Sequence, residues 1–128
     1  MFTDKEINAR QLSPLNLAFI GDCVYEMLVR EKLIAEANRP VNDLHRESVH
    51  YVSAKAQTEA YEKIKDLLSE EEAAVFRRGR NAKTGHNPKS ATQGEYHTAT
   101  GVEALFGYLY LTRQTARINE LFLLITEN

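Results

Sequence analysis

Two acidic side chains stand in stretches that are otherwise apolar, and their chemistry sets the first question about this chain. Between Leu17 and Val29 only Asp22 and Glu26 are charged; across residues 99–112 (ATGVEALFGYLYLT) only Glu103 is. A carboxylate in such company is unfavourable unless something compensates it. Two of them in one small chain suggest acids that meet and share a cation. Small residues lie beside both: Ala18 and Gly21 near Asp22, and Ala99, Thr100 and Gly107 near Glu103. Glycine inside a helix costs about 1 kcal/mol relative to alanine, so close approach of two backbones is the reason to look for. Hard carboxylate oxygens suit Mg²⁺ or Mn²⁺, which keep several waters and bind one or two carboxylates plus a substrate phosphate. Such an ion activates water for in-line displacement at phosphorus. The competing reading pairs each acid with an arginine in a structural ion pair, or makes it the cap of a polar network. Glu26, one turn beyond Asp22, is expected to face solvent.

A second constellation is basic. Residues 77–90 hold Arg77, Arg78, Arg80, Lys83 and Lys89 and no acid, whereas the whole chain has a net charge of −2. Side chains of this kind contact phosphates, although charge runs are often only solvated surface. The glycines here lack the Gly-Lys-Ser/Thr ending of a phosphate-binding P-loop. His45 and His50 are five apart, off a common helical face, which disfavours a histidine metal site.

The elements that must position these groups read as helices throughout. Ser13-Pro14 is a helix start, with Ser as N-cap and Pro at the first helical position. The helix is expected over residues 15–32, apolar around almost its whole circumference, so other helices or a partner chain must surround it. Cys23 falls within it and is expected to be a small core residue. Asn38-Arg39-Pro40 breaks that helix. Asn42 or Asp43 is the expected cap of an amphipathic stretch reaching residue 68, with a bend at Tyr51-Val52-Ser53 and Ser53 capping a second segment. Ser69-Glu70-Glu71-Glu72 is a capping box for a helix ending near Gly79. Residues 80–95 read as a loop. Helices follow over residues 96–113 and 116–126. The fold class is all-α, in one domain spanning residues 1–128.

Composition narrows the class. The chain has 128 residues, 43% of them hydrophobic, enough for a real core. Its single cysteine rules out an internal disulfide and suits a reducing compartment. The N-terminus has acids and no apolar signal region, and the apolar runs are too short to span a bilayer. A cytoplasmic protein with no membrane partner is expected.

The two acidic helices resemble the signatures of the ribonuclease III family. That family carries Glu-x-Leu-Glu-Phe-Leu-Gly-Asp-Ala-Val on one helix and Asp-x-x-Glu-Ala-Leu-x-Gly-x-x-Tyr-Leu on another. Here they read Leu15-Asn16-Leu17-Ala18-Phe19-Ile20-Gly21-Asp22-Cys23-Val24 and Thr100-Gly101-Val102-Glu103-Ala104-Leu105-Phe106-Gly107-Tyr108-Leu109-Tyr110-Leu111. The chain looks like the family's endonuclease domain without its double-stranded-RNA-binding domain, as in the Mini-III ribonucleases of bacteria. The resemblance implies an all-α helical bundle that acts as a homodimer on double-stranded RNA with Mg²⁺, for which Mn²⁺ can substitute. It implies phosphodiester hydrolysis leaving 5′-phosphate and 3′-hydroxyl ends, with Asp22 and Glu103 as catalytic and metal-binding residues. It places the first helix across the dimer axis. It also implies a task in maturing the ends of large-subunit (23S) ribosomal RNA precursors.

The departures fall on the site itself. Family carboxylates are replaced by Ala18 and Thr100, and the first motif's earlier Glu by Leu15. Fewer anionic ligands predict a higher metal requirement than in full-length ribonuclease III. They also sustain a rival reading, a catalytically inert helical dimer that binds structured RNA or protein. Without the accessory domain, RNA must be held by the dimer valley and by Arg77, Arg78, Arg80, Lys83 and Lys89, with a large-subunit ribosomal protein as a candidate helper.

Overall fold

The computed structural model describes residues 2–83 and 91–127. Among them are six α-helices and no strand: α1 (Pro14–Glu36), α2 (Val41–Val52), α3 (Ala54–Ile64), α4 (Glu70–Arg80), α5 (Gln93–Leu111) and α6 (Thr115–Thr126). No helix among these residues is long and apolar enough to cross a membrane.

Local chemistry sets most of the boundaries. The Ser13 side chain accepts a hydrogen bond from the Asn16 amide, with Pro14 in the first turn. Ser53 ends α2 and caps α3 by accepting from the Ala56 amide. Ser69 and Glu72 form both halves of a capping box. A second box, Thr92 with Glu95, starts α5 three residues before the expected residue 96. Pro40, rather than Asn42 or Asp43, occupies the N-cap of α2, which has no side-chain cap; Asp43 lies in the first turn, where its charge favours the helix dipole.

The helix at the centre is α5. Residues all around it are buried, including Val102, Leu105, Phe106 and Leu109, and α1, α3, α4 and α6 pack against it while α2 packs on α1. Tyr25 of α1 meets Phe106 of α5 and Phe122 of α6 edge-on, with ring centroids 5.2 and 5.9 Å apart. Tyr61 of α3 stacks on Phe76 of α4 at 3.9 Å. Fully burying side chains of this size contributes about 1.5–3 kcal/mol each.

The first helix is covered by other helices on one side only, which leaves the partner-chain alternative for the other. Leu17, Tyr25, Val29 and Leu33 are buried, but Phe19 is 80% exposed, and Leu15, Met27 and Ile34 are also exposed. Cys23, expected in the core, is exposed on the same side. Helical spacing places residues 15, 19, 23 and 27 on one face, and no other helix among the described residues covers it. An apolar circumference says that a helix has two hydrophobic faces, not that one chain covers both.

Candidate active site

The crossing of α1 and α5 is built on glycine. A Cβ added to Gly21 would overlap the carbonyl oxygen of Glu103, and one added to Gly107 would overlap the carbonyl oxygen of Leu17. Any larger residue would push the backbones apart, so this contact is the reason for both mid-helix glycines. It places Asp22, the residue after Gly21, beside Glu103. Asp22 opens onto a groove along the outer face of α1, shared with Cys23, Glu26, Met27 and Arg30. Glu103 lies deeper, half-buried among the helices. Glu26 is half-buried and paired with Arg30 at 3.1 Å, so it already has a cation.

The electrostatics of the pair are those of a site short of positive charge. Burial pushes the Glu103 carboxyl from the ordinary 4.5 up to about 8; the Asp22 charge and a hydrogen bond shared with Asp22 add to this, while the Gln57 amide opposes it. Burial also raises the Tyr25 phenol, with the Glu103 charge pushing the same way. Among the described residues, no arginine or lysine forms an ion pair with Asp22 or Glu103. Two neighbouring carboxylates without a protein cation leave negative charge that a proton or a metal ion can offset.

The positions of the two replaced carboxylates supply no free oxygen. Ala18 is buried, and the buried Thr100 hydroxyl donates to the Tyr96 carbonyl at 3.0 Å. Among the described residues, no group of three or more His, Cys, Asp or Glu side chains is placed to hold a metal ion. Asp22 and Glu103 are the two carboxylates among the described residues that meet there. They fit a divalent ion that keeps much of its hydration.

One polar neighbour escaped the sequence reading. Gln57, 1% exposed on α3, places its amide beside Glu103 and favours that carboxyl's charged form. Its signal was present: Gln57 shares the buried side of α3 with Ala60 and Ile64, where an apolar residue belongs.

The basic residues gather at the C-terminal end of α4, which rests on α5. A Cβ on Gly79 would come within 2.7 Å of Ala104 Cβ. Arg78 donates to the Leu12 carbonyl at 3.2 Å, and Arg80 lies over the Phe76 ring, 5.7 Å from its centroid. Arg77 and Lys83 are exposed, without an ion pair among the described residues. Lys89 lies outside the described residues.

Known proteins share much of this sequence and this fold. Residues 15–114 match the Ribonuclease III domain family. The chain is 54% identical to a Mini-ribonuclease 3 of Thermoanaerobacter sp. (strain X514) over 110 residues, covering 86% of this chain and 78% of that protein. It is 49% identical to the Mini-ribonuclease 3 of Symbiobacterium thermophilum over 113 residues, 88% and 87% of the two chains. A solved structure from Fusobacterium nucleatum superposes with a TM-score of 0.82 at 33% identity, covering 91% of this chain and 89% of that one. With both acidic motifs inside the matched span and the helical fold shared, the chain belongs to the ribonuclease III family.

Proposed function

We propose that the chain is a divalent-metal-dependent endoribonuclease that cleaves double-stranded RNA as a homodimer, leaving 5′-phosphate and 3′-hydroxyl ends. Its proposed task is maturing the ends of large-subunit (23S) ribosomal RNA precursors in the cytoplasm. The observation that carries this reading is the facing pair Asp22 and Glu103, with no cationic partner among the described residues. These two side chains would hold Mg²⁺ or Mn²⁺. The bound ion supplies an activated water and charge stabilisation at phosphorus. Membership of the ribonuclease III family supports the substrate class.

The rest of the chain supports binding rather than chemistry. The bare face of α1, with Phe19, Cys23 and Met27, runs beside Asp22 and suits a second copy of the same helix. A dimer joined there brings two carboxylate pairs to one duplex, one for each strand. A-form RNA is read mainly by shape, phosphates and 2′-hydroxyls, which suits the basic end of α4.

The test is Asp22→Asn, which keeps size and helix but removes charge. Wild type should cut duplex RNA with Mg²⁺, and the variant should bind RNA while its cleavage falls at least about a thousandfold, as for loss of an essential electrostatic group. If wild type binds duplex RNA and fails to cut it at any Mg²⁺ or Mn²⁺ concentration, the chain is an inert RNA-binding dimer. Ala18 and the tied-up Thr100 are what favour that second reading.

A further inference from the structure

Gln57 is a buried polar side chain that the Asp22–Glu103 pair alone does not explain. It is 1% exposed, on the face of α3 that packs against α5. Its amide lies close enough to the Glu103 carboxylate to favour that group's charged form. The amide oxygen, Oε1, is fully enclosed without a hydrogen-bond partner. Nine in ten or more buried polar groups find a partner, and an unpaired one is unfavourable by about 1–3 kcal/mol. A leucine of nearly the same volume would fill the space without that penalty. The orphaned oxygen belongs to the same amide that sits beside Glu103, in a site where Ala18 offers no oxygen and the Thr100 hydroxyl is committed to Tyr96.

We propose that Gln57 is a positioning residue of the Asp22–Glu103 centre: Nε2 holds the Glu103 carboxylate in place, and Oε1 is the neutral oxygen acceptor for the hydrated cation. This deepens the metal-dependent reading and rests on it. A neutral acceptor suits an ion with only two anionic ligands, because Mg²⁺ and Mn²⁺ keep several waters, each with hydrogens to donate. Outer partners of this kind orient the ligating groups, and their loss typically weakens metal binding about ten- to a hundredfold.

Mn²⁺ titration of RNA-free protein, followed calorimetrically with melting curves in EDTA alongside, separates the possibilities. Gln57→Leu should bind Mn²⁺ about ten- to a hundredfold more weakly than wild type, while its melting temperature in EDTA stays level or rises. Gln57→Glu keeps an oxygen at the orphaned position and adds charge. It should bind Mn²⁺ at least as tightly as wild type, yet melt below Gln57→Leu in EDTA. A side chain that only fills space predicts unchanged Mn²⁺ affinity for Gln57→Leu. Gln57→Leu binding within twofold of wild type overturns the proposal; if that variant fails to fold, tenfold weaker binding by Gln57→Glu does so. Asp22→Asn tells this failure from the wider one. If Asp22→Asn abolishes Mn²⁺ binding while Gln57→Leu leaves it intact, only the role of Gln57 falls. If Asp22→Asn leaves binding unchanged, the metal site and the role of Gln57 fall together.

Discussion

Glu72 and Glu103 are both withdrawn from water on helices that touch α5 or form it, and their surroundings push them in opposite directions. Glu72 meets Arg117, with Nε to Oε2 at 2.8 Å, and that guanidinium also donates to the Leu67 carbonyl at 2.8 Å. Hydrogen bonding to Arg117 is the main reason its carboxyl sits below the ordinary range. Glu103 meets Asp22 instead, and burial with a like charge raises it to about 8. The first acid is finished within the chain. The second requires a proton or a cation from outside. Buried acids as such do not mark a site; an acid left without its counter-charge does.

The sharpest way to break this contrast is to neutralise each acid in turn. Glu103→Gln keeps the volume and removes the charge; duplex-RNA cleavage should fall about a thousandfold or more, as for loss of a group acting mainly on the charge of the reaction. In EDTA at pH 7 the same variant should melt at or above wild type, because a desolvated acid facing another acid has gone. Glu72→Gln should do the reverse. Gln at the third helical position still serves the capping box, so the change isolates the ion pair. Stability should drop by about 2 kcal/mol, roughly 8 °C in melting temperature, with cleavage retained below the transition. Loss of cleavage in folded Glu72→Gln, or its retention in Glu103→Gln, would erase the distinction.

A subtler test uses pH on metal-free protein. The folded-state value of Glu103 lies above its ordinary 4.5, so its contribution to stability is complete below about 4.5 and is lost as pH rises toward about 8. Glu72 lies below 4.5, so its contribution is present above that value and is lost as pH falls through its folded-state value. Denaturant unfolding across pH in EDTA should show both limbs. Glu103→Gln should flatten the rise in instability between pH 4.5 and 8, and Glu72→Gln should flatten the acid side. If both variants follow the wild-type curve, neither shift is real.

How much of this contrast could be read from sequence depends on how local each signal is. Ser13-Pro14, Ser53 and the Ser69–Glu72 box act within one turn, and each helix start stands where expected. The pairing of Asp22 with Glu103 was readable because small residues flank both acids, and Gly21 and Gly107 do lie in the crossing. The role of Glu72 was only half legible: its cap is local, but Arg117 arrives from α6. Gln57 stands at helical spacing from Ala60 and Ile64 on the apolar side of α3, which marks it as odd, but its neighbour Glu103 lies on α5, which no spacing within α3 discloses. Cys23 was misjudged because α1 is apolar on both faces, and its pattern does not say which one the chain itself covers. The Thr92–Glu95 box was available in the sequence and was masked by the polar composition around it.

The same division between finished and unfinished charge runs through the cations, and there the expected effects are smallest. Arg117 is committed to Glu72, Glu120 and the Leu67 carbonyl. Arg78 and Arg80 are partly committed, to Leu12 and to the Phe76 ring. Arg77 and Lys83 are exposed and uncommitted among the described residues. If uncommitted charge marks the surface that meets RNA, Arg77→Ala and Lys83→Ala should each weaken duplex binding several-fold and lower the slope of log affinity against log salt by about 1. Stability should change by less than about 0.5 kcal/mol, as for exposed substitutions. Arg78→Ala should shift RNA binding less than Arg77→Ala does, and should affect stability more, because its guanidinium ties α4 to the segment before α1. Salt slopes measured for all three in a catalytically silent Asp22→Asn background separate binding from cutting. An unchanged slope for Arg77 and Lys83 would take the end of α4 out of the RNA path and confine the uncommitted charge that matters to Asp22 and Glu103.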